Sequence, residues 1–383
     1  MKNLLIIIIL LTLSSLLFSA PGDLIWRYQT GGYVNSSPCV SDGVIYVGSW
    51  DYYIYAINCS DGTLKWRYRT FNYIDSSPYV SDGFVYIGCL DGYIYAINYS
   101  DGTRKWRFGT NGSISTTPCV SNGVVYVGSG DHCLFAINNS SGTLQWRYET
   151  GAGIYSSPCV SDGVVYVGSV DNYLYAINSS VGTLKWRYQT GGYVISSPCV
   201  SDGVVYVGSR DHYLYAINIS DGTLFWRYKT ENWIYSSPCI SDRVVYFGSY
   251  AYYLYAINCS DGTLKWRYQT GSDVDSSPCV SDGVVFIGSH DCYLYAIETY
   301  GYKGFKDNKK RFNLPEKQFS VSPNPFTDRL TISLPSSASI YSLTGQLIMN
   351  LPKGKHSLDT SKWREGVYIV KSGMECKRVV KIR

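Results

Sequence analysis

Histidine and methionine are nearly missing from this chain, with four and three copies in 383 residues. Charged side chains are sparse as well, at 16%. His132, His212, His290 and His356 are the whole histidine inventory, and no His-Glu-x-x-His motif is written among them. The twelve cysteines include no Cys-x-x-Cys pair, which removes the common zinc spacing. A nucleophile elbow and a phosphate-cradling glycine loop are also missing. Between residues 23 and 297 no helical period with caps occurs, so helices are not expected there. That region also lacks a Lys/Arg stripe. Residues 1–297 carry a net charge of −5 and residues 298–383 a net of +9, so the basic balance belongs to the tail and nucleic-acid binding is not expected.

What is present is repetition. Trp26, Trp66, Trp106, Trp146, Trp186, Trp226 and Trp266 recur at a spacing of 40 residues, each opening nearly the same sentence. In one copy, Val164–Gly168 and Tyr173–Ile177 are short runs of β-branched and aromatic residues that read as strands. Ser161-Asp162-Gly163 supplies a tight hairpin and Ser60-Asp61-Gly62-Thr63 shows the next turn most clearly. Four strands per unit follow: residues 156–160, 164–169, 173–178 and 183–190. A lone four-stranded sheet leaves both faces wet and two edges open, and an array of such units buries them. The expected fold is therefore all-β, a seven-bladed β-propeller of four-stranded antiparallel blades over residues 23–297. Seven outer strands begin with Trp26 and seven three-strand sets end at Ile297, so the N-terminal strand is expected to complete the seventh blade and close the ring.

Ala56, Asn58, Asp61, Gly62 and Trp66, and again Ala256, Asn258, Asp261, Gly262 and Trp266, resemble the repeat of pyrroloquinoline-quinone-like propellers. The resemblance implies that the seven tryptophans pack between neighbouring blades. Quinoprotein dehydrogenases of this class are longer, usually eight-bladed, with an adjacent Cys-Cys pair. This chain has no such pair. Neither the quinone nor calcium has residue-level support, and no cofactor, metal or catalytic residue is expected; a quinone-dependent dehydrogenase is the alternative reading.

Both ends read as addresses. Met1-Lys2-Asn3 followed by the apolar run Leu4–Leu13 reads as a signal peptide over residues 1–22, too short an apolar core to span a membrane comfortably. The mature chain is thus expected to have no transmembrane span. No cysteine precedes Cys39, which argues against a lipid anchor and against a scaffold resembling the outer-membrane barrel-assembly propeller lipoprotein. Residues 298–319 form a basic linker. From residue 320 to 383, Val321-Ser322-Pro323-Asn324-Pro325-Phe326, Gly366–Val370 and Lys377–Ile382 resemble the C-terminal sorting domain of the type IX secretion system, a small β-sandwich. That resemblance implies the type IX secretion machinery as a partner, passage through the periplasm, and a secreted or cell-surface protein.

The copies also compare with one another. Turns of the Ser-Asp-Gly type barely change, whereas the two connections that emerge on the opposite face vary. That varied face carries Tyr33, Trp50, Tyr52, Phe71, Tyr73, His132, Tyr155, Tyr193, Arg210, His212, Trp233, Tyr235, Tyr250, Tyr252 and His290. Exposed rings and Arg are what recognition surfaces enrich. The expectation is a non-catalytic scaffold for an extracellular protein, peptide or glycan. The recurring Asp51, Asp91, Asp131, Asp171, Asp211 and Asp291 suggest a calcium ring, but Asp capping its own turn is the simpler reading. Six cysteines (Cys39, Cys119, Cys159, Cys199, Cys239, Cys279) hold one repeat position and read as small apolar residues near the axis rather than disulfides.

Overall fold

Alternating β-branched and aromatic residues need two covered faces, and the architecture supplies them by stacking sheets. The computed structural model describes residues 26–299, 320–322, 329–334, 338–342, 347–352, 354–361, 366–372 and 375–381. The expected signal peptide at 1–22 and all but the first two residues of the expected linker at 298–319 lie outside the described residues. Contacts divide the chain into two compact units, Met1–Gly301 and Tyr302–Arg383.

The first unit is all-β. Its first sheet contains β1 (Cys39–Ser41), β2 (Val44–Gly48), β3 (Tyr53–Asn58) and β4 (Leu64–Arg69), antiparallel in that order. The pattern repeats to give six four-stranded sheets and a seventh of three strands, Cys279–Ser281, Val284–Gly288 and Leu294–Glu298. The innermost strand is shorter and later than the spacing predicts. In the fourth blade it starts at Cys159 because Pro158 has no N–H to give and the Ser156 hydroxyl is already taken, accepting the Gly168 N–H at 3.1 Å.

One face of each sheet meets the next. Val44, Tyr46, Ile54, Ala56 and Trp66 pack with Val85, Ile87, Tyr95 and Ile97 of the second sheet, and the same cluster recurs down the array. Both faces of β2 and β3 are thereby covered, which is why their sequences run almost uninterrupted in hydrophobicity. Ala56 stands opposite Trp66 on the partner strand, with a register shift just after it that repeats in six sheets. A small residue there leaves space for the indole. Trp66 donates its indole N–H to the Tyr99 carbonyl of the next blade at 3.0 Å, and Trp106, Trp146, Trp186 and Trp226 do the same one blade further on each time. Beneath each ring is a glycine. Gly102 has φ +75° and a Cβ on it would lie 2.7 Å from Trp66, so neither its conformation nor its position admits another residue.

The expected closure by the N-terminal strand is not seen among the described residues. Trp26 does reach the first blade, donating to the Cys59 carbonyl at 2.8 Å and lying over Gly62, and Tyr28 packs beside it. Residues 26–30, however, form no ladder with Leu294–Glu298, and the seventh sheet keeps three strands among the described residues. Leu294 is 75% exposed, where its six counterparts are at 0%. Counting strands fixes how many pair within a blade but not the rotation from blade to blade, and that rotation decides whether the last sheet meets the first.

The second unit is a small sandwich. One sheet holds Ser320–Ser322, Arg329–Leu334 and Gly354–Asp359; the other holds Leu347–Leu351, Ala338–Ser342, Gly366–Ser372 and Glu375–Lys381. Leu330 and Ile332 of the first sheet share a core with Ile340, Leu351 and Val370 of the second.

Candidate binding face

Because the four strands are adjacent and antiparallel, the β1–β2 and β3–β4 turns emerge on one face. The β2–β3 turn and the connection leading into β1 emerge on the other. These two varied segments are stitched together in every blade. Trp50 N–H donates to the Tyr33 carbonyl at 2.9 Å, and Leu90 to Tyr73, Gly130 to Ser113, Val170 to Gly153, Arg210 to Tyr193, Tyr250 to Trp233 and His290 to Asp273 repeat it. A backbone scaffold of constant geometry thus presents side chains that change from blade to blade.

The repeated aspartate completes the scaffold. Asp171 Oδ1 accepts the Tyr173 N–H at 3.0 Å, while Oδ2 takes the Gly151 N–H at 2.7 Å and the Tyr175 hydroxyl at 2.6 Å. Asp51, Asp91, Asp211 and Asp291 make the same three contacts. Burial, followed by the hydrogen bond to Asp51, pushes the Tyr55 phenol up to about 12. The carboxylates are therefore occupied as clamps, and among the described residues no group of three or more His, Cys, Asp or Glu side chains is placed to hold a metal ion. The turn-capping role was legible in the sequence; the tyrosine four residues on was not used, although Asp-x-x-x-Tyr recurs in the copies. Where Ala251 replaces the Asp, Glu231 takes the position from which the backbone otherwise donates, and it pairs with Arg267 at 3.0 Å.

On this scaffold the varied side chains gather into two patches. In the first, Trp50 packs against Tyr33 (5.6 Å between ring centres) and Tyr73 (5.1 Å), Tyr52 stacks on Tyr73 (5.2 Å), and the Trp50 indole donates to Asp75. Phe71, 69% exposed, lies under the Arg107 guanidinium at 5.3 Å. In the second, the Arg210 guanidinium sits over Trp233 (4.6 Å), Tyr235 (4.9 Å) and Tyr193 (5.2 Å). Tyr250 stacks on Tyr235 at 4.8 Å and leads to His290, whose Nε2 lies 3.1 Å from Asp275. The structure does not bring His132, Tyr155, His212 or Tyr252 into either patch. His132, His212 and Tyr252, like Tyr52, hold the left-handed position of the turn, with φ from 67° to 75°. A cavity of about 620 Å³ lies on the opposite, monotonous face beside Phe225, Asp242 and Arg243, away from both aromatic patches.

The eleven described cysteines carry free thiols. Burial pushes Cys119 and Cys199 up to about 11, well above the ordinary thiol value. They are poor nucleophiles as they stand.

Comparison with known proteins agrees with this architecture. Residues 16–118, 90–198 and 190–301 match the family described as outer membrane protein assembly factor BamB, and residues 320–382 match the secretion system C-terminal sorting domain. A chain bearing that sorting domain is handled by type IX secretion machinery and is extracellular or on the cell surface. Among solved structures, BamB from Moraxella catarrhalis superimposes with a TM-score of 0.64 at 17% identity, over 71% of this chain and 87% of that one. The computationally designed Ika8 protein aligns with a TM-score of 0.48 at 16% identity, over 70% and 96%. No curated protein matches. Among the described residues no helix is long and apolar enough to cross a membrane.

Proposed function

The chain belongs to the family described as outer membrane protein assembly factor BamB, and from that premise we propose a non-catalytic, exported propeller that binds extracellular protein, peptide or glycan through its varied face. The observation that carries this reading is the contrast between faces. The stitched backbone is constant in seven blades, yet only the face it presents gathers exposed rings into two patches around Trp50 and Trp233. Rigid rings provide contact area at low entropic cost. The sorting domain is the address, and the propeller is the cargo that acts outside.

The quinone-dependent alternative finds no matching residues. A quinone with its calcium needs converging carboxylates, and the repeated aspartates are each committed to two backbone N–H groups, with a tyrosine hydroxyl as well in five of the six. Incubation of the full chain with the quinone and calcium is expected to give no dye-linked oxidation of alcohols or sugars.

The test is an array of glycans and peptides probed with the full chain and with a variant in which Trp50, Tyr73, Trp233 and Tyr235 are all Ala. The variant is expected to lose array signals and keep its melting temperature. A paired control, Asp221→Ala with Asp242→Ala on the opposite face, is expected to keep them. Equal loss in both variants overturns the reading.

A further inference from the structure

The second patch contains a cleft that its own side chains leave chemically incomplete. About 330 Å³ in volume, it is lined by Asn172, Gly191, Gly192, Tyr193, Arg210 and Trp233. Two buried polar atoms in this lining have no hydrogen-bond partner: the Arg210 Nε donor and the Asn172 Oδ1 acceptor. A buried polar group left unsatisfied forfeits its hydration without replacement, so such atoms mark a place where something else bonds. Arg210 is held in place by ring faces on three sides rather than by a carboxylate, and among the described residues it takes part in no ion pair. The neighbouring Asp211 is already consumed by the Gly191 and Tyr213 N–H groups and the Tyr215 hydroxyl. The cation therefore has no carboxylate in direct contact, in a cleft whose walls, Tyr193 and Trp233, are 44% and 40% exposed.

Resting on the reading of this face as a binding surface, we propose that the Asn172–Arg210–Trp233 cleft is a subsite for a carboxylated sugar of the uronate type. A carboxylate satisfies the guanidinium edge, which is built for planar two-oxygen acceptors. A hydroxyl two or three bonds away supplies the donor that Asn172 Oδ1 lacks. The apolar C–H face of a pyranose ring lies against Trp233 or Tyr193. A peptide carboxy terminus shares the carboxylate but fits less well. Peptide capture draws on free backbone groups, and here the Gly191 N–H is spent on Asp211 and the Arg210 N–H on the Tyr193 carbonyl.

The full chain is titrated calorimetrically with an oligogalacturonate and with its methyl-esterified, uncharged form. The acidic oligosaccharide is expected to bind at least about tenfold tighter. Arg210→Gln is expected to erase that preference, and Asn172→Asp to weaken the acidic ligand by bringing a like charge to the cleft. Arg210→Lys, which keeps the charge but not the planar fork, is expected to recover only part of it. Equal binding of the two forms, or an unchanged preference in Arg210→Gln with an unchanged melting temperature, overturns the proposal. So does a preference for a peptide bearing a free carboxy terminus over the oligogalacturonate. Array signals that disappear with the four-ring variant but ignore Arg210 would sink the uronate subsite while sparing the binding face; signals that survive the four-ring variant sink the face itself.

Discussion

The inner blades and the seventh blade share nearly the same repeat and differ in their surroundings. In the third blade Leu134 and Ala136 are at 0% exposure, pressed against the fourth sheet. In the seventh, Leu294 is 75% exposed, Phe286 37%, and Ala296 is exposed too. Yet the features internal to a blade persist there. Asp291 holds the Gly271 and Tyr293 N–H groups and the Tyr295 hydroxyl at distances of 2.6–3.0 Å, as Asp171 does its own three partners. The difference separates two sources of order. Turn clamps and ladders are specified inside each 40-residue unit, whereas burial is conferred by the neighbour, as expected of a quasi-one-dimensional array.

The largest expected effect tests burial directly. Leu134→Ala leaves a cavity in a closed core and is expected to cost about 2–5 kcal/mol in urea unfolding. Leu294→Ala removes a mostly solvated side chain and is expected to cost under about 0.5 kcal/mol. Equal costs would show that in solution the seventh sheet is covered, and hence that the N-terminal strand or the first sheet closes the array after all. Trp186→Ala and Trp266→Ala extend the comparison. The first removes a buried ring bonded to the Ile219 carbonyl at 3.0 Å and is expected to lose about 3–5 kcal/mol; the second ring, more exposed and 3.4 Å from its acceptor, less.

A smaller effect tests the part the blades share. Asp171→Asn and Asp291→Asn each break a clamp that ties the turn to its own blade and to the connection leading into that blade. The two are expected to lower the urea midpoint by similar amounts, each less than Leu134→Ala does. A loss confined to the inner blade would mean that the clamp depends on the neighbouring sheet, contrary to the separation drawn above.

That separation also explains what could be read from the chain alone. The four-strand unit, the tryptophan spacing and the segregation of varied turns to one face follow from local chemistry, so Ser161-Asp162-Gly163 and the Trp-to-Trp period carried them. The grouping of Tyr33 with Trp50 and Tyr73 was half legible, since each lies on a varied segment. Nothing in sequence spacing tells that Arg210 lies among rings from two different connections while His212, two residues on, faces elsewhere. The same left-handed turn position holds Tyr52 in the first patch and Asn172 in the cleft, so the outcome depends on which side chains the neighbouring connections supply. Closure was illegible for the same reason as the Leu294 exposure. Both depend on blade-to-blade rotation, which no single repeat encodes.

The smallest expected effect uses the thiols as reporters of the same contrast. Cys119 and Cys199 are raised by burial to about 11, whereas Cys279 and Cys292 are exposed. Iodoacetamide at pH 8 is therefore expected to label Cys279 and Cys292 first and to leave Cys119 and Cys199 protected, as peptide mapping by mass spectrometry reads out. The linkage has a definite sign. A thiol whose value is higher in the folded state than in the unfolded one contributes stability that is fully present below about 9 and is lost as pH rises toward 11. Tyr46 and Tyr166, raised by burial to about 12, carry the same loss further into alkali. The melting temperature is expected to fall progressively above pH 9, with Cys119 labelling accelerating along with it. Simultaneous labelling of all four cysteines at pH 8 would mean that the inner blades open as readily as the seventh, and the contrast between them would not hold in solution.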